Sequence, residues 1–167
     1  EQGVVTTFGK AGDVVTSGLH FKVPFIQNVT RVNTTIQGFP IGYSSASGED
    51  ISSAESLMIT SDFNFVNVDF YVEYKVADPV KYLYNSERPE EILKNIAQSC
   101  IRNVVSNYTV DDVITTGKSE IQATIREMIV EKLEQQDIGL MLVNISMQDA
   151  EPPTQAVIEA FKAVETA

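Results

Sequence analysis

The clearest pattern in the chain is a strict alternation from Val66 to Val76. Val66, Val68, Phe70, Val72, Tyr74 and Val76 fall on one side of an extended chain, and Asn67, Asp69, Tyr71, Glu73 and Lys75 on the other. A period of two predicts a long strand with one covered face and one wet face, and hence an antiparallel or mixed sheet. The residues before it read as shorter strands: Val4 to Phe8 closes at Gly9, and Gly12-Asp13 and Ser17-Gly18 bracket Val14-Val15. In Leu19-His20-Phe21-Lys22-Val23-Pro24-Phe25 the apolar residues again take alternate positions, which predicts a half-buried strand that Pro24 confines to an edge or ends. His20 then lies on its polar side. Ser44 to Ser56 carries six serines with Gly48, Glu49 and Asp50, the composition of a loop.

After Asp78-Pro79 the period becomes helical. Pro89 suits a first turn beside Glu90 and Glu91, and Leu93, Ile96, Ala97, Cys100, Ile101 and Val104 form an apolar stripe, predicting a buried helix over 89–106. Thr109 with Asp112 three residues on resembles a capping box for a short helix, Val110 to Ile114, interrupted by Gly117. Ile121, Ile125, Met128, Ile129, Lys132 and Leu133 mark a second long helix that stops before Gly139. A last strand, Leu140 to Gln148, sets Met141, Val143, Ile145 and Met147 against Asn144, Ser146 and Gln148. Beyond Pro152-Pro153, the residues Val157, Ala160, Phe161 and Val164 recur at spacings of three and four, the opening of an amphipathic helix. The order predicts an α+β fold: a mainly antiparallel twisted sheet packed with helices, over residues 1–150, with residues 151–167 beginning a C-terminal coiled-coil helix.

Charge narrows the partners. Twelve Lys and Arg against 23 Asp and Glu leave a net of −11, which repels phosphate backbones and argues against nucleic acid. Residues 1–40 carry a net +1 and the rest −12, so an anionic surface tolerates the N-terminal end best. The longest run free of polar side chains, Ile138 to Val143, is far short of the roughly 20 residues that span a bilayer. The chain opens at Glu1 without Met, which is read as the start of a fragment.

Catalytic patterns are missing. There is no GxSxG, HExxH, GxxxxGK[ST] or GxGxxG, and one histidine, His20, and one cysteine, Cys100, assemble neither a metal site nor a nucleophile–base pair. Cys100 falls on the buried stripe of its helix, where a thiol is inert. Adjacent acids such as Glu90-Glu91 and Asp111-Asp112 sit at helix starts, where the macrodipole accounts for them. No catalytic residue, metal or cofactor is assigned. N-x-S/T triplets at Asn28, Asn33, Asn107 and Asn144 matter only in a eukaryotic secretory product.

Several motifs in order carry a resemblance. Glu1-Gln2-Gly3-Val4-Val5 with Phe8-Gly9-Lys10, Gly18-Leu19-His20-Phe21-Lys22-Val23-Pro24-Phe25, Leu57-Met58-Ile59-Thr60-Ser61-Asp62, Tyr74-Lys75-Val76-Ala77-Asp78-Pro79, Ser99 to Val105 with Arg102, Val110 to Gln122, and Gln148-Asp149-Ala150-Glu151-Pro152-Pro153 through Ala160-Phe161 together resemble the SPFH (band 7) superfamily of stomatins, prohibitins, flotillins and bacterial HflK and HflC proteins, with the HflK branch most similar. Ser17 and Lys118 depart from the family's usual proline and arginine, and the Ser44 to Ser56 loop follows no family pattern.

The resemblance implies a scaffold and not an enzyme: a cell-membrane protein with a single N-terminal anchor outside this chain, its domain extracytoplasmic if HflK-like. It assembles with itself or with an HflC-like paralogue and restrains the ATP-dependent membrane protease FtsH. The alternative is a stomatin-like organiser of lipid microdomains or membrane proteins. Two sets of residues are candidates for contact. Leu19, Phe21 and Phe25, with Val23, form an apolar face in the least acidic part, for which both lipid and the core are open destinations. Val157, Phe161 and Val164 are candidates for oligomerisation.

Overall fold

The computed structural model describes residues 1–42 and 53–152. Three strands come first: β1 (Gln2–Thr7), β2 (Lys10–Val15) and β3 (Gln27–Val32), in the order β2-β1-β3, with both neighbours antiparallel to β1. β4 (Gln37–Ile41) begins a second sheet, followed by α1 (Ser53–Ser56), β5 (Leu57–Ile59) and β6 (Phe65–Val76). Four elements complete the helical half, α2 (Pro79–Tyr84), α3 (Pro89–Val105), α4 (Val110–Ile114) and α5 (Lys118–Gln136), before β7 (Leu140–Glu151). β6 is the spine of the second sheet. Tyr74 pairs with Gln37 on one side and Leu142 on the other, and Asn67 with Leu57 and Glu151, so β4 and β5 lie end to end along one edge and β7 along the other.

β6 follows the alternation completely: Val66, Val68, Phe70 and Val72 are fully buried and Tyr74 and Val76 nearly so. They share one core with Leu93, Ala97, Cys100, Ile101 and Val104 of α3 and with Ile121, Ile125, Ile129 and Leu133 of α5. Thr109 caps α4 as its spacing predicts, its Oγ1 accepting from the Asp112 N–H at 3.3 Å.

Three expectations are corrected. Leu19 to Phe25 is not a strand: no residue between Val15 and Gln27 joins a ladder. Both edges of β1 are taken, and Pro24 brings no N–H to a third position. In β7 the inward face keeps Ile145 and Met147 of the expected set but not Met141 and Val143. The partners of Val76, Tyr74, Val72, Phe70 and Val68 are Leu140, Leu142, Ile145, Met147 and Ala150, because the register slips at Val143 and again at Gln148. Each bulge adds a residue and inverts the side-chain parity beyond it, leaving Met141 exposed. The serine-rich stretch also ends in structure, since Ser53–Ser56 is the short α1, while the rest of it, from Ser44 to Ser52, lies outside the described residues.

The junction at Gly139 ties the helical half to the sheet. α5 ends on Asp137 in the left-handed conformation (φ 50°), whose carboxylate meets Lys81 Nζ at 2.7 Å and whose carbonyl accepts from Asn85 Nδ2 at 2.8 Å. The Gly139 carbonyl accepts from the N–H groups of Ala77 and Asp78, and Asp78 in turn caps α2 through Val80 N and Lys81 N. Gly139 itself has φ +74°, and a Cβ there would stand 2.4 Å from the Asp78 carbonyl oxygen and 2.5 Å from Tyr82 N. Both obstacles are backbone. Gly139→Ala is therefore expected to cost about 2–5 kcal/mol, the sum of a left-handed non-glycine residue and an overpacked contact, measurable as a lowered urea midpoint at unchanged m-value.

Candidate functional site

β2 and β3 flank β1 and run in the same direction, so the chain leaving Val15 must travel back along the sheet before β3 can start. Residues 16–26 make that return. The segment is pinned at few points: His20 Nε2 donates to the Thr16 carbonyl at 2.8 Å, Gln27 N to the Val23 carbonyl at 3.1 Å, and Val23 N to Gln27 Oε1 at 3.0 Å. Its apolar side chains find no cover. Leu19, Phe21 and Phe25 are 88%, 95% and 106% exposed, and Val23 is half exposed, so they do not fill the core. Between this arch and the sheet lies a groove of about 730 Å³, lined by Gly3, Val5, Val15 and Val29 with His20 and Lys22.

The hairpin joining β1 to β2 adds a residue that the periodicity did not single out. Thr7 pairs with Lys10, and the two residues between them, Phe8 and Gly9, have φ of 51° and 79°, the geometry a two-residue hairpin needs. Phe8 N donates to the Ile26 carbonyl at 3.0 Å, which brings this tip beside Phe25, and Phe8 is itself 83% exposed. Phe25 also has a positive φ, 70°. A bulky side chain in the left-handed region costs roughly 1–2 kcal/mol, and glycine or asparagine would occupy such turns with less strain. Two turns at one end of the sheet thus hold exposed phenylalanines against the backbone's own preference. Phe63, 89% exposed, has the same kind of backbone (φ 59°) away from this end. The signal available in the sequence was Phe8-Gly9 itself, a two-residue turn between β-branched runs.

The other predicted site residues, Val157, Phe161 and Val164, lie outside the described residues. The chain leaves β7 at Glu151, opposite Asn67, at the end of β6 remote from α2, which packs on β1 and β2. The apolar arch and the departing chain are therefore at different ends of the described structure.

Several titratable groups are shifted for structural reasons. Cys100 is fully buried, and burial pushes its thiol up. Tyr82 donates to Glu90 in a short hydrogen bond, which together with burial pushes its phenol up to about 12. Asp62, exposed, is held below the usual carboxylate range by the Thr60 hydroxyl first and then by Asn64 and the Val110 N–H. Among the described residues no group of three or more His, Cys, Asp or Glu is arranged to hold a metal ion, and no helix is long and apolar enough to cross a membrane.

An antiparallel strand triplet, a second sheet built on one long alternating strand, and two helices on its inner face define an SPFH-type domain. Residues 1–167 match the SPFH domain / Band 7 family, and the chain belongs to it. Within that family it is similar to the Modulator of FtsH protease HflK of Escherichia coli (strain K12), 35% identical over 155 residues that make up 93% of this chain and 34% of that protein. Protein HflK of Vibrio cholerae serotype O1 is 35% identical over 163 residues, 96% of this chain and 38% of the relative. Protein HflK of Borreliella burgdorferi is 30% identical over 172 residues, 100% of this chain and 55% of the relative. The chain thus spans between a third and about half of these relatives' length.

Proposed function

We propose that this chain is the SPFH part of a membrane-anchored, non-catalytic, oligomeric scaffold that modulates an FtsH-type ATP-dependent membrane protease. The observation that carries this reading is the 35% identity, along 93% of the chain, to a protein named as modulator of that protease. Residues 1–150 act as the folded domain, with residues 1–40 nearest the bilayer, and residues 151–167 open the coiled coil. Leu19, Phe21 and Phe25, displayed without cover, supply the lipid contact, and the net +1 of residues 1–40 lets this end approach an anionic surface that the remaining −12 would avoid. Val157, Phe161 and Val164 serve subunit contact, with the same chain or an HflC-like paralogue.

The test uses the full-length protein in its native membrane. Affinity purification after mild detergent extraction is expected to bring down the FtsH-type protease in comparable amounts, and deletion of the gene to change the lifetime of that protease's membrane substrates. Absence of the protease even after cross-linking, with substrate lifetimes unchanged, would sink the protease role and leave the lipid organiser as the surviving reading.

A further inference from the structure

We propose that the free edge of β3 is a pairing surface for a second copy of this chain, which adds its own β3 antiparallel about a twofold axis at Thr30. The proposal stands apart from the protease role and from the tail residues.

Exposed sheet edges are pairing templates unless something blunts them. β2 is interrupted where Gly12 and Asp13 bulge opposite Val5, and β4 contains Pro40. β5 is three residues long. β7 carries two bulges, and Gln122 Oε1 and Asp149 Oδ1 accept from its Met147 and Ala150 N–H groups at 2.7 and 2.8 Å. β3 has none of these devices. Its six residues pair with β1 in unbroken register from Gln2↔Val32 to Thr7↔Gln27, and Asn28, Val29, Thr30 and Arg31 are all exposed.

The hydrogen-bond parity fixes which groups point outward. Phe8 N donates to the Ile26 carbonyl, so in the alternating antiparallel ladder Thr6↔Asn28, Val4↔Thr30 and Gln2↔Val32 are the bonded pairs. Gln27, Val29 and Arg31 therefore direct their N–H and C=O away from β1. The Gln27 N–H is already taken by the Val23 carbonyl. What remains is the N–H and C=O of Val29 and of Arg31, and one register satisfies all four within β3, without drawing on Asn33 beyond the strand or setting Arg31 against Arg31. With Thr30 on the axis, Val29 of each copy meets Arg31 of the other and both exchange two bonds, while the threonines face each other across an unbonded pair, a favourable cross-strand neighbour. A register centred on Val29 would instead set Arg31 against Gln27, whose N–H is occupied, and leave the Arg31 carbonyl unpaired. Charge points to the same contact. Residues 1–40 carry net +1, whereas contacts elsewhere bring together surfaces sharing the remaining −12.

Cysteine cross-linking of the chain tests this, because Cys100 is buried and does not compete. In an unbonded antiparallel pair the Cα atoms are about 4.5 Å apart, within disulfide range, so Thr30→Cys should form a covalent dimer under mild oxidation. Asn28→Cys, on the same face but paired with Val32 of the partner, sits roughly 13 Å from its counterpart and should cross-link at least tenfold less. Adding Val29→Pro to Thr30→Cys removes an outward N–H that the monomer does not use and should return cross-linking to background. Val29→Arg, which sets two arginines opposite each other, should do the same if proline perturbs the strand. Equal cross-linking by Thr30→Cys and Asn28→Cys, or a Thr30→Cys dimer indifferent to both Val29 substitutions, overturns the proposal.

Discussion

Phe70→Ala is expected to destabilise the fold by about 3–5 kcal/mol, the range for removing a fully buried phenylalanine and leaving a cavity. Phe70 is fully buried at the middle of β6, flanked across the ladder by Ile41 of β4 and Met147 of β7, and belongs to the core that the sheet shares with α3 and α5. Collapse into the space is opposed from both sides. β6 is hydrogen-bonded along both edges, so its backbone cannot move toward the helices without breaking ladder bonds. Against a total stability of roughly 5–15 kcal/mol the loss is about a fifth or more, and in a chain of this size it corresponds to a Tm lowered by roughly 6–20 °C. Lys75→Ala, on the opposite face of the same strand, should stay within about 0.5 kcal/mol. Equilibrium urea unfolding decides it. A cost below about 1 kcal/mol for Phe70→Ala would mean that the inward face of β6 has been misassigned.

That strand also shows what makes an element legible. β6 is regular, and it buries one face continuously, so a period of two maps directly onto burial. β7 pairs with the same strand yet misleads, because the bulges at Val143 and Gln148 invert parity twice within twelve residues. Local composition carries no mark of where a register slips; that depends on the partner strand. The helices α3 and α5 were legible because Leu93, Ala97, Cys100, Ile101 and Val104, and Ile121, Ile125, Ile129 and Leu133, form stripes against one sheet face. The stop of α5 was legible to within a few residues: Gly139 signals it, but Asp137 takes the left-handed cap, and Gly139 is required for the close approach of Asp78 and Tyr82.

The candidate site was legible in its residue types and not in its structure. Leu19, Phe21, Val23 and Phe25 alternate as a strand would, but alternation shows only that two sides differ. Whether the chain pairs depends on a free ladder edge, and β1 has none left. The same alternation on an unpaired return segment turns its apolar side chains to solvent. Phe8, read as the end of a strand, gives no sign of a contact role because it belongs to a turn, and turns have no period.

The second large effect is expected on lipid binding. Phe21 and Phe25 contribute almost nothing to the folded monomer, being 95% and 106% exposed, yet each would release about 1.5–3 kcal/mol on entering an apolar phase. Phe21→Ser with Phe25→Ser should therefore weaken partitioning of the chain into phosphatidylcholine vesicles by roughly 10²–10⁴-fold, while its unfolding free energy changes by no more than about 0.5 kcal/mol. Phe25→Asn separates the two effects further. Asparagine accepts the left-handed backbone (φ 70°) more readily than phenylalanine, so this variant should be as stable as the parent or slightly more so, and still bind vesicles about ten- to a hundredfold more weakly. A purely structural role predicts the reverse ordering, with stability lost and binding unmoved. Flotation of the chain with vesicles, alongside urea unfolding of the same samples, reads both quantities. If the parent does not float, or if the double variant floats equally well, these side chains are not the membrane contact.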